Sequence, residues 1–279
     1  MGKNTFDILL LIGRPASGKS EIIDFLTYLP DEIRRERFHI AHVDVHDDFP
    51  LLWAWFEEDA ILDKKFGLPR LHTDEQGYFK FQELWHLLIE RLSLEYGKLL
   101  RDDPSYHEHN TCLIEFSRGS EHGGYAEAFQ HLCDEILRRA VIVYVRVPFE
   151  ESLRKNRRRF NPDKPDSVLE HGLPDEKMER LYRDDDFASI APGDSGLLAI
   201  CEQRVPFAVF PNEDDVTTGK SEQLAARLES VLGELWQIYS NRQMEIAASE
   251  LASDYQSSEN LRMFTELDGE DFLDDTGEA

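Results

Sequence analysis

The sequence predicts an α/β fold in three layers, a five-stranded parallel sheet between helices, and three observations carry that expectation. Five short apolar runs rich in β-branched or aromatic residues stand at 6–12, 38–45, 111–116, 140–147 and 205–210. Helical patterns separate them, and strands joined through helices pair in parallel with both faces covered. Directly after the first run comes Gly13-Arg14-Pro15-Ala16-Ser17-Gly18-Lys19-Ser20, which fits G-x-x-x-x-G-K-[ST], a turn between strand and helix that cradles phosphate.

The first strand, 6–12, delivers the chain into that loop. Its glycines allow backbone conformations barred to other residues, so successive N–H groups turn inward around an anion. Lys19 is then expected to bridge the β- and γ-phosphates of ATP, the Ser20 hydroxyl to bind Mg²⁺, and a helix from Lys19 to Leu29 to aim its N-terminus at the nucleotide. Strand two ends in His42-Val43-Asp44-Val45-His46-Asp47-Asp48. Alternation turns His42, Asp44 and His46 to one side and Val43 and Val45 to the core.

Residues 45–110 form a helical insertion on the substrate side, with Leu51 to Ile61 as one helix and Phe81, Leu84, Trp85, Leu88, Leu92, Tyr96 and Leu99 as the stripe of another. Between them Asp74-Glu75-Gln76-Gly77 reads as a turn. Strand three, 111–116, leads through Glu115 to Arg118, and strand four, 140–147, leads to a basic helix. Residues 150–200 read as a lid; within it 161–196 is expected to be a mobile flap with one short helix at Asp175 to Tyr182. Strand five, 205–210, precedes a helix from about Lys220 to Tyr239. A phosphate-loop domain thus spans 1–240 and leaves 241–279 as an acidic, partly disordered tail with one helical stretch, Met244 to Leu251.

Acidic residues number 56 against 31 basic ones, for a formal net charge of −25 in 279 residues. That balance repels a nucleic-acid backbone, so nucleic acid is not expected as a partner. No apolar run reaches the roughly 18 residues of a membrane span, and the N-terminal apolar segment lacks the features of a signal peptide, so the cytoplasm is the expected compartment. Cys112, Cys133 and Cys201 show no C-x-x-C spacing and read as buried thiols. From Gln243 onward acids dominate, which reads as solvating sequence, or as a segment that docks on a basic protein partner or folds back over the site.

Phosphoryl transfer asks a protein for positioned cations, a metal and a group that handles the acceptor's proton. In an open parallel sheet these belong at the carboxyl ends of the strands. Asp44 is the candidate acceptor base, with metal binding or a plain surface acid as alternatives. Glu115 is the candidate Mg²⁺ ligand, the alternative being a salt bridge to Arg118 or Arg146. Arg154, Arg157 and Arg158 share a helix face and are candidates to close on the transferring phosphoryl group, or else pair with Glu150, Glu151 or Asp163. Arg118 is the candidate anchor for a substrate carboxylate or phosphate, or a partner of Glu115. Trp53, Trp55 and Phe56 either stack on a ligand ring or fill core. A transition-metal site on His42 and His46 lacks a third ligand at a convincing spacing.

With these residues in view, the chain over roughly 5–240 resembles the P-loop kinases of small molecules, the superfamily of nucleoside monophosphate, shikimate and gluconate kinases. The resemblance implies phosphate binding by Lys19, Arg154, Arg157 and Arg158 and an adenine-binding loop at Asn212. The insertion carries no arginine between Arg37 and Arg70, so the clamp for an acceptor monophosphate typical of nucleoside monophosphate kinases has no counterpart. Deoxynucleoside kinases set Glu and Arg side by side after strand three, whereas Phe116 and Ser117 separate Glu115 from Arg118 here. The implied function is ATP- and Mg²⁺-dependent phosphorylation of a small-molecule hydroxyl, the alternative being a nucleotide switch that acts through a protein partner.

Overall fold

The computed structural model describes residues 4–159, 173–219 and 221–257. Its order is β1 (Ile8–Gly13), α1 (Lys19–Tyr28), α2 (Asp31–Phe38), β2 (His42–Asp47), α3 (Phe49–Phe66), α4 (Glu83–Asp102), α5 (Tyr106–His109) and β3 (Asn110–Phe116). After a 3₁₀ turn at Ser120–His122 follow α6 (Gly124–Gln130), α7 (Asp134–Arg139), β4 (Ala140–Arg146), α8 (Phe149–Arg159) and α9 (Asp175–Tyr182). The chain closes with α10 (Phe187–Ile190), β5 (Ser195–Ile200), β6 (Gln203–Pro211) and α11 (Ser221–Ser257).

All strands join one sheet in the order β2-β3-β1-β4-β6-β5. The first five of that order run parallel. β1 is buried along its whole length because helices cover both faces of the sheet centre, and its unbroken apolar run reflects that. This is the α/β three-layer phosphate-loop fold that the sequence predicts, with one strand more than expected. The sixth, β5, pairs antiparallel with β6 at the sheet edge, in a stretch read from sequence as part of a flap. Gly193 and Gly196 at positive φ flank its start and mask it as loop.

The hairpin from β5 to β6 turns on Cys201, which is exposed and left-handed (φ 51°), so only Cys112 of the three cysteines is the fully buried thiol expected of all. β2 starts four residues later than expected because Asp31–Phe38 forms α2, whose acids open its first turn and whose arginines close the last. β2 is also the other edge strand, which leaves Val45 42% exposed rather than in the core. The helix of Asp175–Tyr182 and the turn at Asp74 are where the sequence puts them; Asp74 accepts the Tyr78 amide on its carboxylate at 2.8 Å. α11 continues through Met244–Leu251 to Ser257, so that part of the expected tail is helical. Met1–Ile238 makes one unit with every strand, and a second unit begins at Tyr239 inside α11. Among the described residues no helix is long and apolar enough to cross a membrane.

In the insertion, α3 buries one carboxylate completely. Asp59 accepts N–H bonds from Leu71 (2.6 Å), His72 (3.0 Å) and Thr73 (2.6 Å) and the Thr73 hydroxyl (2.7 Å), which pins the segment after Gly67 back onto the helix. Burial alone would raise its pKa, but the donors from Thr73, Leu71 and His72 outweigh that and bring it down to about 2. A depressed carboxylate contributes stability above its unfolded pKa and loses it as pH falls through the folded value. Asp59→Asn should therefore cost about 2 kcal/mol at neutral pH. In urea denaturation the gap between variant and parent should narrow as pH drops from about 4 toward 2.

Candidate active site

Five parallel strands end on one sheet edge, and there the phosphate loop joins β1 to α1. Gly13 has φ 152° and Gly18 φ 111°. A Cβ on Gly13 would lie 2.7 Å from the Val145 carbonyl oxygen, and one on Gly18 equally near Asn212 Nδ2 and Thr217 Oγ1, so both positions require glycine. Ala16 is left-handed at φ 56°. The Lys19 ammonium is buried and donates to the carbonyls of Gly13 and Arg14 at 3.0 Å and to Ser117 Oγ at 2.9 Å, with Glu115 at 3.7 Å. Ser20 is exposed, while the Ser17 hydroxyl is buried with no hydrogen-bond partner.

The loop is braced from behind. Ser152 on α8 donates to the Pro15 carbonyl at 2.6 Å. Arg14 turns its guanidinium away from the loop, onto the carbonyls of Val147, Tyr182 and Arg183 at 3.1 Å and the Asp185 carboxylate at 2.9 Å. Asn212, expected at an adenine loop, is fully buried and donates to the Ser17 carbonyl at 2.8 Å and Thr217 Oγ1 at 2.9 Å. Its amide is a strut for the loop and is not presented to a base.

Carboxylates gather beside the loop at the strand ends. Asp47, the last residue of β2, lies in register with Glu115 of β3, which in turn pairs with Leu11 of β1. Burial, then the Glu115 and Asp48 carboxylates, push Asp47 up to about 7; the Phe49 amide and Lys19 act against them. Asp48 is buried and ion-paired with Arg118 at 2.7 Å. Arg118, itself 1% exposed, donates to the carbonyls of Ser117 (2.7 Å) and Trp85 (3.0 Å), and its guanidinium lies 5.4 Å from the Trp85 ring and 5.5 Å from that of Phe116. Beside it His122 stacks on Trp85 at 3.8 Å and accepts the Gly119 amide on Nδ1. Burial and the Arg118 charge push its pKa down to about 2, so the imidazole is neutral.

Loop and carboxylates open into a cavity of about 650 Å³ roofed by the insertion and α9. Lys19, Ser20, Asp47, Glu115 and Arg118 all line it. Asp44 does not: it lies mid-strand, accepts the Tyr106 hydroxyl at 2.7 Å and has His46 at 3.3 Å, three residues short of the strand end. The three arginines of α8 are absent from the lining as well. Arg154 pairs with Glu151 at 2.6 Å, Arg157 with Asp175 at 2.6 Å, and Arg158 is exposed. The sequence correctly puts them on one helix face, but that face meets solvent. The opposite face, Ser152, Lys155 and Asn156, is buried, and Asn156 reaches the cavity.

Across the cavity mouth, Lys177 of α9 donates to the Gly77 carbonyl of the insertion at 2.7 Å, and the Arg180 guanidinium lies over the Tyr78 ring at 4.2 Å. Neither cation stands out in the sequence, since each is one charge on an ordinary amphipathic helix. The acidic run Asp184-Asp185-Asp186 is structural: Asp185 takes Arg14 and the Tyr144 hydroxyl, and Asp186 accepts the first amides of α6, Tyr125 at 2.6 Å and Ala126 at 3.0 Å.

The donor set fits a magnesium nucleotide. Mg²⁺ keeps several waters and takes one or two carboxylates with substrate phosphates, so it needs no all-protein cage, and among the described residues no cluster of three or more ligating side chains exists. Crowded carboxylates of one sign beside an exposed serine hydroxyl at a phosphate loop are a setting that a divalent cation relieves.

No family model and no curated protein matches this chain. Among solved structures it is similar to a sugar kinase from Janibacter sp. HTCC2649, at 13% identity over 82% of this chain and 95% of that one, with TM-score 0.37. It is similar too to the shikimate kinase of Acinetobacter baumannii in complex with shikimate, at 15% identity over 85% and 96%, TM-score 0.38. TT1252 from Thermus thermophilus aligns at 19% identity over 83% and 98%, TM-score 0.34. At these values the likeness carries no weight of its own, and the fold stands on sheet order and loop geometry.

Proposed function

We propose that this protein transfers the γ-phosphoryl group of ATP to a hydroxyl of a small molecule, with Mg²⁺. One observation carries the reading: the phosphate loop opens directly into a cavity of about 650 Å³ with Asp47 and Glu115 at the junction. A nucleotide switch needs no such pocket beside its phosphates.

In this reading the amides of 13–20 and the Lys19 ammonium hold the phosphates. Ser20 and Glu115 hold Mg²⁺, which would neutralise charge on the transferring group. Asp47 replaces Asp44 as the proton acceptor because it stands at the strand end, on the cavity wall, next to the loop. A carboxylate suffices as base where the proton leaves late in a loose transition state. Arg154, Arg157 and Arg158, which lie outside the cavity lining, are assigned no role in this reading.

The test is ADP formation by purified protein with Mg-ATP, with and without a metabolite extract. Acceptor-dependent ADP with a matching phosphorylated product supports transfer. ADP formed at one rate in both conditions supports a nucleotide hydrolase instead.

A further inference from the structure

We infer, building on the kinase reading, that the acceptor is a neutral hydroxyl compound carrying a planar aromatic ring, held against the ring wall of the insertion.

The wall is continuous. Trp53 and Phe56 of α3, Tyr78 and Phe79 of the hairpin, and Phe81 and Trp85 at the start of α4 all line the cavity. Phe79 sits at its middle, 5.7 Å from the Phe56 ring and 4.7 Å from that of Trp85. None of these six is buried, and Phe81 is 61% exposed. Trp55, by contrast, turns into the insertion and stacks on His72 at 4.7 Å, so the core of this subdomain is supplied by a different ring. Tyr78 is capped by the Arg180 guanidinium at 4.2 Å and Trp85 by His122 at 3.8 Å, so the surface offered to a ligand is chiefly that of Phe56, Phe79 and Phe81; a ring stacked there would remove that surface from water.

Charge narrows the class. Four lysines and arginines line the cavity among the described residues, and each is engaged. Lys19 belongs to the phosphate loop, Arg118 is paired with Asp48 at 2.7 Å, Lys177 donates to Gly77 O at 2.7 Å, and Arg180 faces Glu121 at 3.4 Å. Arg118, the sequence's candidate for a substrate carboxylate or phosphate, is thus neutralised by its own neighbour. Among the described lining residues the four cations are matched by four carboxylates, Asp47, Asp48, Glu115 and Glu121, so an anionic acceptor would enter an aromatic pocket with no net positive charge to receive it, at a cost in desolvation. The volume of about 650 Å³ suits a drug-sized ligand rather than a macromolecule.

Two sources share this chemistry, nucleosides and aryl alcohols, and two measurements separate them from the rest. The first is Mg-ATP-dependent phosphorylation of adenosine, uridine, tyrosol and coniferyl alcohol against glycerol, glucose, gluconate and shikimate. A member with an aromatic ring should exceed every non-aromatic one by roughly tenfold or more in kcat/KM. The second is quenching of Trp53 and Trp85 fluorescence by the same compounds with a non-hydrolysable ATP analogue. Phe81→Ser, a change at an exposed position, should raise KM for the aromatic acceptor by roughly tenfold and leave KM for ATP unchanged. Turnover of glucose, gluconate or shikimate with aromatic compounds inert, no binding of either aromatic class, or an unaltered acceptor KM in Phe81→Ser would each overturn the inference. Failure of the parent protein to bind Mg-ATP would bring down the kinase reading itself, and this inference with it.

Discussion

Asp47→Asn should lose phosphoryl transfer by roughly a hundredfold or more while Mg-ATP affinity changes only a few-fold. The same change should make the nucleotide-free protein more stable. Asp47 is crowded by Glu115 and Asp48 at a half-buried strand end, and its carboxyl sits at about 7 rather than in the usual range. A carboxylate raised in the folded state contributes stability below its unfolded pKa and loses it as pH rises through the folded one. The amide should therefore raise Tm at pH 8 and change it little at pH 4. Loss of activity together with a gain in stability is the signature of a strained functional group, and unchanged turnover would remove Asp47 as the proton acceptor.

Arg118→Met should destabilise the fold by about 3 to 5 kcal/mol, because it strands the buried Asp48 carboxylate without its partner. The double variant Arg118→Met with Asp48→Asn should recover much of that loss, since removing both ends of a buried pair is often near neutral. Urea unfolding of the four proteins reads the coupling directly. If the two single losses simply add, the pair has no energetic meaning and Arg118 is again open as an acceptor anchor.

What the sequence disclosed follows from how local each constraint is. The loop at Gly13–Ser20 was legible because its glycines answer to backbone geometry within eight residues, and the structure adds the close approaches that make them obligatory. β1, β3, β4 and β6 were legible because burial on both faces forces apolar runs, whereas β2, an edge strand, showed only alternation and its start was read four residues early. β5 was not, since an edge strand between glycines looks like loop. Alternation along β2 identified a polar side but not the strand's end, so the choice fell on Asp44 and not on Asp47 three residues on. The α8 arginines illustrate the same limit: a shared helix face is a local property, whereas which face turns inward depends on Ser152, Lys155 and Asn156 finding Pro15, Asp215 and Leu173 across the fold. Asn212 was noticed for its place after the last strand, but its role as a brace on Ser17 depends on a residue 195 positions away.

Calorimetric titration of the protein with Mg-ATP, run beside Lys19→Ala, tests the central claim most directly. Lys19 donates to the loop carbonyls of Gly13 and Arg14, so its removal takes a buried ammonium from the loop while the glycines keep the loop's shape. The account predicts saturable heat with one site for the parent protein and its loss by at least roughly a hundredfold in affinity for the variant. Equal heats for the two, or none for the parent, would contradict it.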